Sequence, residues 1–371
     1  MTAETGNYKG KKKIMELLFL CGFVLFITAI LVLDMLVIDR EAHEVSVREA
    51  ATWTAVWITL ALLFSVFLWF HGDMVHGIEN FQDLQAVAQR YAAHIELDPN
   101  DFAGSLQKYR HYMTVSYLSG YVIEKTLSVD NLFVMMMIFT SFGVSKKEYQ
   151  HVLNWGILGA IVLRIIFIFV GTAVISKFKF VLMLFGVFLI YSAYKMWRDR
   201  NKKEEIDVEN HPLVKFLSKH FPVYPKFEGD KFFVKAKHTA NGYSLTDGIG
   251  KSVLCITPLF VTVLVIEFSD IIFAFDSIPA IFSVSLDPYV VLFSNIFAIL
   301  GLRAMFFLLA VIADKFRYLS VGVTVLLLFI GVKLLISEFY EIDPVASLAF
   351  IIMVFVVSIL ASVVIPQKSK G

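Results

Sequence analysis

Residues 267–281 read Glu267-Phe-Ser-Asp-Ile-Ile-Phe-Ala-Phe-Asp-Ser-Ile-Pro-Ala-Ile281, three carboxylates set inside an apolar run. Residues 121–134 read Tyr121-Val-Ile-Glu-Lys-Thr-Leu-Ser-Val-Asp-Asn-Leu-Phe-Val134 and hold two more. The stretches share a pattern. In one, Glu124 is followed after five residues by Asp130-Asn131 and an apolar run; in the other, Asp270 is followed after five by Asp276-Ser277 and another. A carboxylate at the centre of a membrane helix costs roughly 2.5–3.5 kcal/mol on insertion scales. Five of them would cost on the order of 12 kcal/mol, comparable with the net stability of an ordinary domain. Polar residues bridging helices account for one or two such acids. Five at repeated spacing point to a cation pathway.

The rest of the chain agrees that hydrocarbon is its solvent. It has 371 residues, 58% hydrophobic and 18% charged, with a mean hydropathy of +0.72. Soluble domains are nearer half apolar and a quarter charged. Nine stretches are apolar enough to span: about 14–38, 52–72, 111–141, 152–176, 179–197, 253–283, 289–312, 318–337 and 345–365. The expected class is an all-α polytopic membrane protein, whose partners are the lipid bilayer and an ion. A net charge of +1 gives no reason to expect nucleic acid. Cys21 and Cys255 lie far apart in apolar segments and suggest neither a disulfide framework nor a thiolate metal site. Lys9-Gly10-Lys11-Lys12-Lys13 before Ile14 resembles a secretory leader, but the long apolar run without a small-residue cleavage site reads as a retained helix.

Between the second and third spans, apolar positions from Ile78 to Ile95 fall at helical spacing, which predicts a surface or interfacial helix stopped by Asp98-Pro99-Asn100. The connection 198–252 is basic, broken by Pro212, Pro222 and Pro225. It holds a potential hairpin between Phe232-Phe233-Val234 and Tyr243-Ser244-Leu245. Arg198, Arg200, Lys202 and Lys203 place this loop, and with it the C-terminus, in the cytoplasm and the N-terminus outside. Lys9 to Lys13 argue the other way.

The duplication extends past the acids. Arg164 recurs as Arg303, Lys177-Phe178-Lys179 as Lys315-Phe316-Arg317, and Lys195 as Lys333, at offsets of 138 or 139. Three helices, 111–197, are therefore repeated as 253–337, flanked by 1–110 and 338–371 and joined by 198–252. An odd number of crossings inverts the second copy, the architecture of many secondary transporters with midplane ion sites. The copies differ at Lys125, whose counterpart is Ile271, and at Glu267, which faces Tyr121.

On a straight helix, residues six apart are rotated by about 120° and separated by about 9 Å, so Glu124 and Asp130 do not chelate one ion alone. Either the helix unwinds, for which Pro279 is a candidate in the second copy, or the pseudo-twofold brings Asp130-Asn131 against Asp276-Ser277. Glu267 and Asp270, three apart, share a face and can join the same cage. All these donors are oxygen and suit Mn²⁺, Mg²⁺ or Ca²⁺. The nine histidines fall in expected loops or at helix ends, against a zinc or copper centre. Arg164 and Arg303 either neutralise the carboxylates when no ion is bound or anchor helices through backbone carbonyls. Lys195 and Lys333 are expected to snorkel to the interface, and Asn154 and Asn295 to bond between helices.

The quoted stretches, with Thr257-Pro-Leu-Phe260 and Ser294-Asn-Ile-Phe-Ala-Ile-Leu-Gly-Leu-Arg303, resemble the signatures of the TerC/Alx family of integral membrane proteins over roughly 110–340. The resemblance implies Mn²⁺ export across the bacterial plasma membrane within a superfamily of two-repeat transporters. It also carries an older name tied to tellurite resistance and a label of redox modulator. By motif, the implied metal positions are Glu124, Asp130, Asn131, Glu267, Asp270, Asp276 and Ser277, with no departure at the acids. No cofactor motif or paired thiols accompany the redox label. The expectation is a secondary transporter of a divalent cation, not an enzyme and without a cofactor, moving one repeat against the other. Clustered carboxylates that do not all stay ionised once a metal leaves suggest exchange for protons. Two other classes compete: an intramembrane metallohydrolase, which lacks a His-Glu-x-x-His run, and a stress or assembly factor whose acids are architectural.

Overall fold

The computed structural model describes residues 2–37, 45–178, 180–199, 211–239, 242–245, 253–312, 318–337, 339–340 and 342–364. Arg200, Lys202, Lys203 and 315–317 lie outside them, as do the side chains of Lys9 to Lys13 and of Asp130. The protein is an all-α membrane protein with one small sheet. Helices α1 (Thr2–Val37) and α2 (Val47–His71) precede a 3₁₀ turn and the short α3 (Phe81–Tyr91). The first three-helix stretch is α4 (Phe102–Phe142), α5 (Tyr149–Lys177) and α6 (Phe180–Asp199). After α7 (Pro212–His220) and strands β1 (Phe233–Thr239), β2 (Gly242–Leu245) and β3 (Val253–Ile256) come α8 (Pro258–Phe282), α9 (Pro288–Leu300), α10 (Leu302–Ile312), α11 (Leu319–Ile336) and α12 (Pro344–Val364).

Six described helices are long and apolar enough to cross a membrane, or seven when α9 and α10 count as one bent span. These cover seven of the nine expected stretches. The other two are α4, whose middle carries Glu124, Lys125 and Asp130, and α11, which is shorter at 18 residues.

Local chemistry sets the boundaries. The β-branched and apolar run Val253-Leu-Cys-Ile256 pairs with β1, Cys255 opposite Val234, so the expected helix does not begin at 253. Thr257 ends the strand and caps α8, accepting from the Phe260 N–H at 3.4 Å with Pro258 in the first turn. A hairpin forms in this region, but not in the register read from sequence: Tyr243-Ser244-Leu245 pairs with Ala236-Lys237-His238, Thr239 standing opposite Gly242, whereas Phe233 and Val234 pair with Ile256 and Cys255 of β3 on the other edge of β1. The α3 helix is shorter than its pattern, capped by Asn80, and buries Leu84, Val87 and Ala88 inside the protein; its apolar face meets side chains instead of lipid.

Packing among the long helices is reciprocal. The α4 helix packs on α9 and α5 on α8, while α4 meets α8, α5 meets α9 and α6 meets α11. Exchanging the first three-helix stretch for the second leaves this pattern unchanged. The α6 and α11 helices cross where Gly186 meets Gly331: a Cβ on either would lie 2.9 Å from the other's carbonyl oxygen. Such close backbone approach is how helices associate where lipid competes equally for apolar side chains.

Candidate functional site

Arg164, near the middle of α5, is fully buried and is the hub of the site. Its Nη1 donates to Glu124 Oε1 of α4 in a short ion pair, to Asn295 Oδ1 of α9 at 2.7 Å and towards Ser277 Oγ of α8 at 3.4 Å. Its Nη2 lies 3.4 Å from Asp270 Oδ1, also of α8. Ser128, one turn along α4, donates to Glu124 Oε1 at 3.1 Å. Asn295 is itself held by its Nδ2 donating to the Val291 carbonyl at 2.9 Å. Four helices from both halves thus converge on one guanidinium. A buried charge survives only when paired and hydrogen-bonded, and here the pairing is shared between two carboxylates.

The helical period explains which acids arrive. Asp270 and Ser277 are seven apart, close to two turns, and share the face towards α5. Asp276 is turned by about 100° from Ser277 and leaves that face. It is half-buried and accepts from Ser192 Oγ of α6 at 2.8 Å, so on the second copy's side it is Asp270, not Asp276, that faces the first copy's carboxylate. Glu267 is half-buried, its carboxylate seated where a side chain at Gly159 of α5 would otherwise be. Asn131 is buried in α4. Arg303 of α10 donates to Asn154 Oδ1 of α5 at 2.6 Å. Each arginine therefore bonds an asparagine of the opposite half, Arg164 with Asn295 and Arg303 with Asn154.

Three carboxylate oxygens at this level, Glu124 Oε2, Asp270 Oδ2 and Glu267 Oε2, are buried and have no hydrogen-bond partner. Among the described residues, however, no three His, Cys, Asp or Glu side chains stand together closely enough to hold one metal ion. Arg164 occupies the space between Glu124 and Asp270.

Helix α4 is continuous past Glu124 and α8 past Asp270, Asp276 and Pro279, which sits in its last turn. The break is elsewhere, at Gly301 between α9 and α10, where the axes bend by 40°. Lys125 reaches it, its Nζ donating to the Ala298 carbonyl at 2.9 Å. Lys333 is buried and donates to Ser347 of α12 at 3.0 Å instead of reaching the interface. A second ionic cluster escaped the sequence. His76, fully buried, places Nδ1 3.2 Å from Glu16 of α1 and Nε2 2.8 Å from Asp287, the cap of α9. Burial alone would lower the imidazole, but the Asp287 and Glu16 carboxylates outweigh it and hold it up at about 9.

A profile of the Integral membrane protein TerC family matches residues 109–370. The chain belongs to the TerC family. It is 39% identical over 338 residues to the Escherichia coli K12 protein named "Putative membrane-bound redox modulator Alx", covering 91% of each chain. It is 37% identical over 343 residues to a protein of the same name from Photorhabdus laumondii, covering 92% of this chain and 93% of that one. With "Tellurium resistance protein TerC" of Serratia marcescens it shares 34% identity over 351 residues, again 91% of each. No solved structure matches the chain. All the Arg164 contacts fall inside the TerC match, as does the Lys125 contact at the helix break, whereas Glu16 and His76 lie before it.

Proposed function

We propose that this TerC family member is a secondary transporter that exports a divalent cation, Mn²⁺ foremost, across the bacterial inner membrane. One observation carries the reading: a fully buried arginine holds carboxylates from both halves, Glu124 and Asp270, while each carboxylate keeps an unpartnered oxygen. Replacing the guanidinium by a divalent ion exchanges one compensating cation for another. The ion is cargo, and the donors it would meet are hard oxygens: Glu124, Asp270, Ser277 and Asn295, with Glu267 and Asp130-Asn131 along the same two helices. Arg164 is the compensating charge of the ion-free state, and Arg303 holds the equivalent place in the second copy.

The reciprocal helix contacts and crossed arginine–asparagine pairs support an inverted repeat of three helices, with α4–α6 moving against α8–α11. The loop 198–252 and the C-terminus are assigned to the cytoplasm on the positive charge after α6. Proton exchange follows as part of the proposal, since carboxylates left without metal or guanidinium take up protons.

The test is the metal content of cells with and without expression, with manganese, magnesium and calcium measured together. Lower manganese on expression, abolished by Asp270→Asn in a protein that still folds, supports export; higher manganese reverses the direction. Uptake into proteoliposomes that ignores an imposed pH gradient removes the proton step. The name of the Serratia relative, a tellurium resistance protein, supports stress resistance, and a second reading is a stress-resistance or assembly factor without transport. In that case Asp270→Asn alters stability and leaves cellular metal and the resistance phenotype unchanged.

A further inference from the structure

The span formed by α9 and α10 is broken inside the apolar region: α9 ends at Leu300, Gly301 intervenes, α10 starts at Leu302, and the axes differ by 40°. Such a break leaves the last carbonyls of α9 short of regular partners and turns the negative end of a helix dipole into hydrocarbon, with no water to answer it. Broken membrane helices commonly meet this need with a bound cation, coordinated by the freed carbonyls.

Here a side chain does it. Lys125 of α4 is 8% exposed. Its Nζ donates to the Ala298 carbonyl at 2.9 Å and lies 6.0 Å from the centre of the Tyr121 ring. The fit is close: a Cβ at residue 301 would stand 2.5 Å from Nζ, so glycine at the break is what admits the ammonium. Among the described residues no carboxylate forms an ion pair with it. A buried ammonium without a carboxylate is costly, and the negative end of α9 is what offsets that cost.

The lysine present in one copy only and the break found in one of the paired helices only then explain one another. In the second copy, Ile271 stands where the first has Lys125. Ile271 belongs to α8, which packs on α5, and α5 runs unbroken from Tyr149 to Lys177. A lysine is present opposite the broken helix and absent opposite the whole one. We infer that Lys125 is a tethered cation whose ammonium permanently fills a monovalent-cation site at the α9–α10 break. Removing its charge and bulk uncovers a site for Na⁺, K⁺ or a small ammonium ion. This concerns the break alone and does not rest on the transport reading.

The experiment is thermal unfolding of the purified full-length protein in detergent. Choline chloride is exchanged, at fixed ionic strength, for sodium, potassium, ammonium or methylammonium chloride. The wild type is expected to melt at one temperature whichever cation is present. Lys125→Ala melts lower in choline and is raised by several degrees, saturably, by at least one small cation, as linkage to a bound ion requires. Lys125→Met keeps the bulk without the charge; it melts lower and responds to none of them. Lys125→Ala as stable as wild type in choline, or lowered equally in every salt, overturns the inference. So does a Lys125→Ala protein that fails to fold in ammonium as it fails in choline.

Discussion

Arg164 is one positive charge shared between two acids, and taking it away leaves both without an answer. Arg164→Ala strands both Glu124 and Asp270 in the interior. Breaking a buried pair from one side costs about 3–5 kcal/mol, most of it the uncompensated charge. We expect Arg164→Ala to melt well below wild type in detergent, and adding Glu124→Gln and Asp270→Asn to recover part of the loss. If the triple variant is no more stable than Arg164→Ala, the arginine is not there to balance those acids. At this scale the sequence was legible as far as the helical period reaches. Glu124, Asp270, Ser277 and Arg164 were all named from spacing, and Asp270 and Ser277 do share a face. Adjacency in sequence groups Asp276 with them, but on a helix one step is a turn of about 100°, which takes it to α6. Asn295 could not be ranked, since nothing in one sequence says which helix faces Arg164.

Among the elements, the α9–α10 break is where the reading and the fold part most clearly. Proline is the strongest single signal for an interrupted helix, yet Pro279 sits in the last turn of α8, so only the three helical residues after it could be displaced by a kink. Gly301 is a weak signal alone; it matters because Lys125 and Trp57 crowd its α-carbon. A Cβ there would lie 3.3 Å from Trp57 Cβ as well as against the ammonium. Gly301→Ala is therefore expected to cost roughly 1–3 kcal/mol, the range for overpacking a tight site. In a double-mutant cycle it should couple to Lys125→Ala, because both act on one contact. Strict additivity in thermal melts would show that the two residues do not meet. The sequence reads 253–256 as helix because an apolar run of four is ambiguous by period alone, and the pairing partner that decides it lies about twenty residues upstream in β1.

For the molecule as a whole, two features away from Arg164 set its boundary conditions. The Glu16–His76–Asp287 bridge ties α1 to the start of α9. The His76 pKa is raised to about 9 from 6.5, so the bridge contributes fully below about pH 6.5 and is lost as pH climbs through about 9. Stability should fall over that window by on the order of 3 kcal/mol. His76→Gln should flatten the profile of melting temperature against pH; an unchanged slope means another group titrates. Tyr91, whose ring stacks on His76, stays neutral across this range, its hydroxyl pushed up by burial. Beside this bridge opens a cavity of about 1460 Å³, reached by Thr172 of α5, Ser283 after α8 and Lys333 of α11. Counting along α5 and α8 puts its floor about 9–12 Å from the level of Arg164 and Ser277. If the large loop is cytoplasmic, as proposed, the cavity faces outward. A membrane-impermeant maleimide added to intact cells should label Ser283→Cys and spare Ser277→Cys, both in a Cys21→Ser background. Labelling of Ser283→Cys only after the cells are opened would invert the topology.

The length of α4 has a mechanical consequence. Its 41 residues run without a break, about 60 Å end to end and roughly twice the hydrocarbon thickness. Glu124 stands close to the midpoint, 22 residues from one end and 18 from the other. A rod pivoted at its centre moves least there and most at its tips: a tilt of about 10° carries each extremity some ~5 Å while the fulcrum stays in place. The acid that grips Arg164 sits at the one station on the rod that such a tilt leaves in place.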